Sequence, residues 1–420
     1  MSTHPPETVP KFKLDPNARE WLVGFLLAGM MLGLLGSLLI AWQYHIDVDP
    51  RLAGLHFLGL NAGYVLAAAI AQRSLPRISA RSIAMVSCAL AFASLVALSF
   101  LAPPFPAAWR IATLAFLGAA AGALVTALLH ILEPYFETAP AVMVNLAGVL
   151  FGCGCLLATL MVALTYFAGS VQIQTALLAL VPMIFLVLYA ANKYPGARTV
   201  VHASEEPAAL RAALRDLRSI AAVLFSLLLF VQFGNEWAIA GWLPLYLIHR
   251  LGSNPAWAIF ALAGYFLALM AGRIAVRALL PRINHARLLM ACVALAMLGY
   301  FLLSFTTALP GAWIALIVIG AGFAPILPLI AETLDERFSF HPAFYNGLFA
   351  IAITGAMSSP WLLGYVDAYL GVQYVMLIPA FGSIVVLVLA LLIMLEARLM
   401  GGSERASTTA RAGAAAAGKR

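Results

Sequence analysis

Charge is scarce in this sequence. Asp, Glu, Lys and Arg make up 10% of its 420 residues, against about 25% in a typical soluble domain. Hydrophobic residues reach 64%, more than a soluble core of this size can hide, so lipid must serve as part of the solvent. Cysteine is scarce too. Cys88, Cys153, Cys155 and Cys292 all lie in apolar runs, and Cys153 and Cys155, two apart on a helix, point to different faces. With no His beside them they form neither a disulfide framework nor a metal site and read as small buried hydrophobes. No Gly-rich stretch is followed by Gly-Lys-Ser/Thr, which argues against a nucleotide-driven pump. The bases are not interleaved with stacking aromatics, which argues against nucleic acid despite a net charge of +7. At the membrane faces, only His130 with Glu133 and Glu332 with Asp335 and Glu336 come near the clustered acids or histidines that an enzyme site needs. Neither group holds a pair of metal-ligand histidines, so an integral-membrane enzyme finds no support and no cofactor is expected.

What the chain does have is long apolar runs. A membrane span takes about 20 mostly apolar residues, and twelve such runs are present: 21–44, 52–72, 81–102, 107–130, 141–167, 172–192, 219–247, 256–277, 287–307, 312–331, 343–366 and 373–396. The first is too long for a signal-peptide core of about 7–15 residues and reads as a retained span. The expected organisation is a polar N-terminal tail (1–20), a six-helix half (21–192), a surface linker (193–218), a second six-helix half (219–397) and a Gly/Ala/Ser-rich tail (398–420) whose composition predicts disorder. Within the linker, Glu205-Glu206-Pro207 followed by Arg211, Arg215 and Arg218 has the acid-first, base-last order of a short helix.

Twelve spans place both termini on one side. That side collects 21 of the 24 Lys and Arg residues, with Arg273, Arg277, Arg282 and Arg287 counted together in one loop group. Arg51, Arg110 and Arg250 fall on the other. By the positive-inside rule the richer side is cytoplasmic, so a plasma or inner membrane protein with both ends in the cytoplasm is expected.

The two halves repeat each other. Ala62-Gly63-Tyr64 recurs as Ala263-Gly264-Tyr265, and Leu75-Pro76-Arg77-Ile78 recurs as Leu280-Pro281-Arg282-Ile283. Asn145 is matched by Asn346, and Gly118-x-x-x-Gly122 by Gly320-x-Gly322. Six spans per repeat keep the orientation, so the halves are related by an axis along the membrane normal, with the substrate site expected near the midplane between them.

Several motifs carry a family likeness: Gly241-Trp242-Leu243-Pro244-Leu245-Tyr246 after Glu236, Asn145-Leu146-Ala147-Gly148 with Phe151-Gly152, Gly320-x-Gly322-Phe323-Ala324-Pro325 with Pro328, and Pro360-Trp361 with Gly364. On these the whole chain resembles the major facilitator superfamily, and within it the fucose-type sugar:proton symporter branch. The resemblance implies an all-α fold of twelve helices in two parallel-repeat halves and transport by alternating access. It departs from the family at two places. The loop after the second span reads Ala71-Gln72-Arg73-Ser74-Leu75-Pro76-Arg77, without the usual Asp, and the first and fourth spans lack the branch's acidic residues. Both departures bear on proton coupling and on sugar as the substrate.

Ionisable groups within a bilayer are costly and usually face a pathway. Glu236 is the clearest carboxylate away from the span ends. Gln232 lies one turn before it on the same face, and Asn235 is its neighbour. A proton-carrying Glu236 and a hydrogen-bonded structural one are both compatible with this. By the family resemblance, Arg110 at the start of the fourth span would share in coupling; an interfacial, snorkelling Arg is the plainer alternative. Further substrate candidates are Asn61 and Tyr64 on one face of the second span, Tyr265 at the matching place in the eighth, Asn145 and Asn346, which can also bond across helices, and Trp242, which can also be an interfacial anchor. The Gly-rich runs permit close helix contact.

The function expected from these features is secondary transport of a small polar organic solute, sugar-like first, with coupling to protons, by a monomer surrounded by lipid. Efflux of a drug or metabolite is the alternative, favoured if the cavity is almost wholly apolar. A transporter-like sensor or scaffold that moves nothing is the reading of another class.

Overall fold

The computed structural model describes residues 14–46, 49–167, 170–192, 220–279, 285–335 and 341–396. Most of both tails, the linker with its Glu205-Glu206-Pro207 segment, and Leu280-Pro281-Arg282-Ile283 lie outside the described residues.

Among the described residues, twelve helical spans follow one another when the bent first one is counted as one. The first, α1, is built from three pieces, Pro16–Leu22, Gly24–Gly33 and Leu35–Ala41. Then come α2 (Pro50–Ser74), α3 (Ala80–Phe100), α4 (Ala107–Ile131), α5 (Pro140–Thr165), α6 (Val171–Ala191) and α7 (Ile220–Leu251). The remainder are α8 (Pro255–Leu279), α9 (His285–Phe305), α10 (Leu309–Phe323 and Ile326–Asp335), α11 (Pro342–Leu370) and α12 (Val372–Glu396). Eleven are long and apolar enough to cross a membrane as they stand, and the bent α1 makes the twelfth. A short helix, Glu133–Thr138, joins α4 to α5.

Local chemistry sets many of the ends. Asp49 caps α2 by accepting from the Arg51 N–H (2.9 Å), with Pro50 in the first turn, and Ser79 caps α3 through the Ser82 N–H. Both follow the preference for short acceptor side chains, and in α2 for proline, at helix starts. Gly371, at φ 95°, closes α11 in a conformation that side chains rarely adopt. Two spans expected as single helices are interrupted. The tenth breaks at Ala324 and Pro325, because proline lacks the N–H and clashes with the preceding turn. The first bends by 42° between Gly33 and Leu35, where Gly33 and Gly36 flank the break.

The bend has a consequence. It lays Gly36 against the main chain of α7, where a Cβ would collide with the Ala240 carbonyl oxygen. Small residues do the same within a half: Gly63, Gly118 and Gly122 let the backbones of α2 and α4 meet. Contacts between halves pair α2 with α11 and α5 with α8, which are images of each other under the sequence repeat. Facing outward, Leu180, Ile184 and Val187 on α6 and Val385, Val388 and Leu392 on α12 are exposed, the apolar surface that a bilayer would cover.

Candidate functional site

Glu236 sits at the middle of α7 and is 3% exposed. It does not stand alone. Arg273 of α8, also 3% exposed, donates from Nη2 to Glu236 Oε2 at 3.1 Å. The same guanidinium donates from Nη1 to the Gly148 carbonyl oxygen of α5 at 3.0 Å, which ties the second half to the first. Gln232, one turn before Glu236, donates from Nε2 to Glu236 Oε1 at 3.1 Å. Three donors and acceptors are left over around this pair. Arg273 Nε, Gln232 Oε1 and the Tyr265 hydroxyl are buried without a hydrogen-bond partner. Buried polar groups are normally paired, so such a concentration at one point marks a place where partners change.

The ion pair lines a cavity of about 610 Å³ between the halves. Its remaining wall is largely aromatic and aliphatic. Phe25, Phe151, Phe233, Trp237, Phe266 and Phe349 all face it, and Tyr64 and Cys155 also border it. Trp237 stacks on Phe233 with ring centres 6.4 Å apart and meets Phe151 of the other half at 5.8 Å. A second cavity, of about 350 Å³ and apolar, lies toward the side where α11 starts and α10 ends. It shares Phe233, Leu327 and Phe349 with the first, so these three side chains form the partition between the two chambers.

The halves touch beyond both ends of the cavity. On the side bearing few Lys and Arg residues, the α1–α7 contact at Gly36 is joined by Arg51 Nη1 donating to the Tyr369 hydroxyl (3.4 Å) and by His249 Nε2 against the His45 carbonyl (3.2 Å). On the basic side, Asn346 of α11 accepts from Thr126 Oγ1 of α4 (3.1 Å) and donates to Gln72 Oε1 of α2 (3.4 Å).

Of the residues singled out in the sequence, Glu236, Gln232, Tyr64 and Tyr265 gather at or beside the cavity. Asn346 belongs to the seam just described. Asn235 points away, its side chain packed against Gly382 of α12 and its carbonyl accepting from Tyr300. The Trp242 indole donates to the Pro360 carbonyl at 2.6 Å, joining α7 to α11. Neither Asn61 nor Asn145 is on the cavity wall, and the Oδ1 of each is buried without a partner. Arg110 is not brought to Glu236. Its guanidinium donates to the Leu101 and Phe105 carbonyls (3.0 and 2.7 Å) and to the Tyr44 hydroxyl (2.9 Å). It also lies over the Trp42 and Tyr44 rings at 5.5 and 5.7 Å. Tyr44 in turn meets His56 Nε2 at 3.1 Å.

One reading needs correction. Arg273 was counted above among the loop charges that report orientation, yet it is buried inside α8 and paired with Glu236. The bias of Lys and Arg to one side survives its removal from that count. The signal was present in the sequence, since Arg273 falls inside the expected span 256–277. Arg277 beside it disguised it as part of a basic helix end. Trp237 was missed for another reason: a lone aromatic in an apolar run carries no mark of the wall it will join.

The profile of the Major Facilitator Superfamily matches residues 21–359. Among solved structures, the chain is similar to the D-xylose-proton symporter (13% identity, TM-score 0.70, covering 90% of this chain and 96% of that one). It is also similar to the nucleoside transporter NupG (14%, 0.67, 90% and 99%) and to the major facilitator transporter FucP in its outward conformation (19%, 0.64, 90% and 98%). At these identities the likeness speaks for the fold. No curated protein matches the chain.

Proposed function

Since the chain belongs to the major facilitator superfamily it is a secondary transporter and not an enzyme, and we propose that it moves a small organic solute through the central cavity by alternating access, with proton movement coupled at Glu236. The observation that carries this reading is the unspent acceptor beside the carboxylate. As a carboxylate, Glu236 is held by Arg273 and by the Gln232 amide. As a carboxylic acid it must donate instead, and Gln232 Oε1, buried without a partner, becomes its acceptor after a half-turn of the amide. Both charge states therefore find partners without repacking, which is what a group that takes and releases a proton in each cycle requires.

Protonation also frees the guanidinium that reaches across to the other half. Arg273 holds Glu236 of α7 and Gly148 of α5 at once, so neutralising Glu236 releases one end of that bridge. The partition of Phe233, Leu327 and Phe349 then separates the solute from the chamber on the basic side. By the positive-inside rule that side is cytoplasmic, with both chain ends, and 193–218 joins the halves there. Two of the proteins it resembles in fold are by name proton symporters, in keeping with coupling to protons. Arg110 we assign to holding the end of α1 against the start of α4, because both its Nη groups donate to carbonyls and a phenol remote from the cavity.

The wall favours an apolar-bodied solute over a sugar. A sugar carries a hydroxyl on nearly every carbon, and each needs a partner once buried. Beside the ion pair, the further polar groups among the wall residues are the Tyr64 hydroxyl, the Cys155 thiol and the Trp237 indole N–H. A drug- or metabolite-like molecule, with few polar groups on an aromatic or aliphatic frame, matches the rest.

The test is flux in proteoliposomes containing a trapped pH dye, with sugars, organic acids and amphipathic drugs offered in turn. A solute-dependent pH change in the wild type that disappears in Glu236→Gln is expected. Solute flux without proton movement in both proteins would remove the coupling role of Glu236.

A further inference from the structure

We propose that the solute is an organic monoanion, and that its carboxylate replaces Glu236 as the counter-ion of Arg273. This rests on reading the central cavity as the transport site. The asymmetry of the pair leads to it. A carboxylate can be neutralised by a proton, whereas a guanidinium stays charged at any working pH. When Glu236 takes its proton, Arg273 is left as a cation in an apolar chamber, and a buried charge needs a partner. An anion entering the cavity supplies one. A cation would instead have to draw Glu236 away and leave two positive charges facing each other. A neutral solute would leave Arg273 uncompensated, so protonation and binding would not favour each other.

The donors fit that exchange. Of the five N–H groups of Arg273, one on Nη1 is spent on Gly148 and one on Nη2 on Glu236. Nε is buried with no partner. Nε and Nη2 lie on one edge of the guanidinium, the edge that takes both oxygens of a carboxylate in parallel. Around it, Phe25, Phe151, Phe233, Trp237, Phe266 and Phe349 provide the wall for an apolar body.

The charge balance follows. Bound solute and bound proton enter together: Glu236 goes from carboxylate to acid, and the solute carboxylate takes its place at Arg273, so the charge of the site is the same before and after. One proton moves with one anion, and the cycle carries no net charge. The other titratable groups around Glu236 are Tyr265 on α8, Tyr300 on α9, Cys155 on α5 and Tyr64 on α2. Phenols and a thiol in an apolar site stay neutral at and below neutral pH, which leaves Glu236 as the group that titrates.

The test uses the full chain, purified, with phenylacetate, 3-phenylpropionate and octanoate as probes, each set against its own amide and amine. Wild type should bind a carboxylate, and bind it about tenfold more tightly at about pH 6 than at about pH 8. Glu236→Gln should bind it tightly at both, because no competing carboxylate remains, and Arg273→Gln should not bind it. The double variant Glu236→Gln/Arg273→Gln carries no buried charge and guards against misfolding; it too should lose binding. In proteoliposomes, carboxylate-driven proton entry should be unchanged when the membrane potential is clamped. Equal binding of amides or amines, loss of binding in Glu236→Gln, or no binding of any carboxylate would overturn the proposal. A Glu236-dependent pH change driven by a sugar or an amine would overturn it while leaving proton-coupled transport standing. Absence of flux for every solute class would remove the transport reading beneath it.

Discussion

Arg110 and Arg273 are buried to the same degree, at 4% and 3% exposure, and each half of the molecule contains one. Their surroundings differ in kind. Arg110 donates from its Nη groups to two carbonyls and a phenol and lies over two rings, all within the first half. Arg273 faces a titratable carboxylate and bridges to the other half, while the Nε of each arginine is buried without a partner. Fixed dipoles around a charge make a permanent joint. A partner that can be neutralised makes a joint that opens and closes. Burial alone therefore does not mark a functional arginine; the reversibility of its partner does.

The largest effect should come from breaking the reversible joint. Arg273→Leu leaves Glu236 buried without its cation and should cost about 3–5 kcal/mol of stability, measured by denaturation of the purified protein. Adding Glu236→Leu removes the orphan charge, so the double variant should return to near wild-type stability while transporting without protons or not at all. Arg110→Leu should cost less, about 2–3 kcal/mol from its charged hydrogen bonds. The number of protons moved per solute should stay the same in what remains folded.

Smaller still should be Gly36→Ala, which pushes α1 from the Ala240 carbonyl and should cost about 1–3 kcal/mol by overpacking. Because that contact seals the side poor in Lys and Arg, Cys155 on the cavity wall should label faster with a thiol reagent added from that side.

The smallest effect separates pH-dependent folding from pH-dependent coupling. Glu133, in the short helix between α4 and α5, is pushed up to about 7 by burial and then by Glu137. A carboxyl raised from 4.5 in the unfolded chain gives stability that is complete below that value and is lost as pH rises through about 7. Thermal unfolding between these limits should show the slope in wild type and a flatter one in Glu133→Gln, with coupling at Glu236 unaffected.

Much of this was legible in the chain itself. Apolar run length gave the spans, since the bilayer fixes that length, and the Gly spacing of the fourth span announced a close helix contact without saying that α2 would supply it. Glu236 stood out because a carboxylate in lipid is costly, and Gln232 because residues four apart share a helix face. The ion pair was not legible. Glu236 and Arg273 are 37 residues apart on neighbouring helices, and only packing says which faces of α7 and α8 meet. Asn235 shows the same limit from the other side. It adjoins Glu236 in sequence, but a helix turns about 100° per residue, which sends its side chain to α12 instead of the cavity. Trp242 looked like an interfacial anchor or a ligand, and its indole is spent on the Pro360 carbonyl of α11, a partner that only packing reveals.

The most direct test of the account is the number of protons moved per solute in proteoliposomes, compared between Arg110→Leu and the neutral pair Glu236→Gln/Arg273→Gln. The account predicts that Arg110→Leu keeps the wild-type ratio at a lower rate, and that the neutral pair moves no protons with solute. A wild-type ratio in the neutral pair, or a lost ratio in Arg110→Leu, would contradict it and move proton coupling to the first half of the molecule.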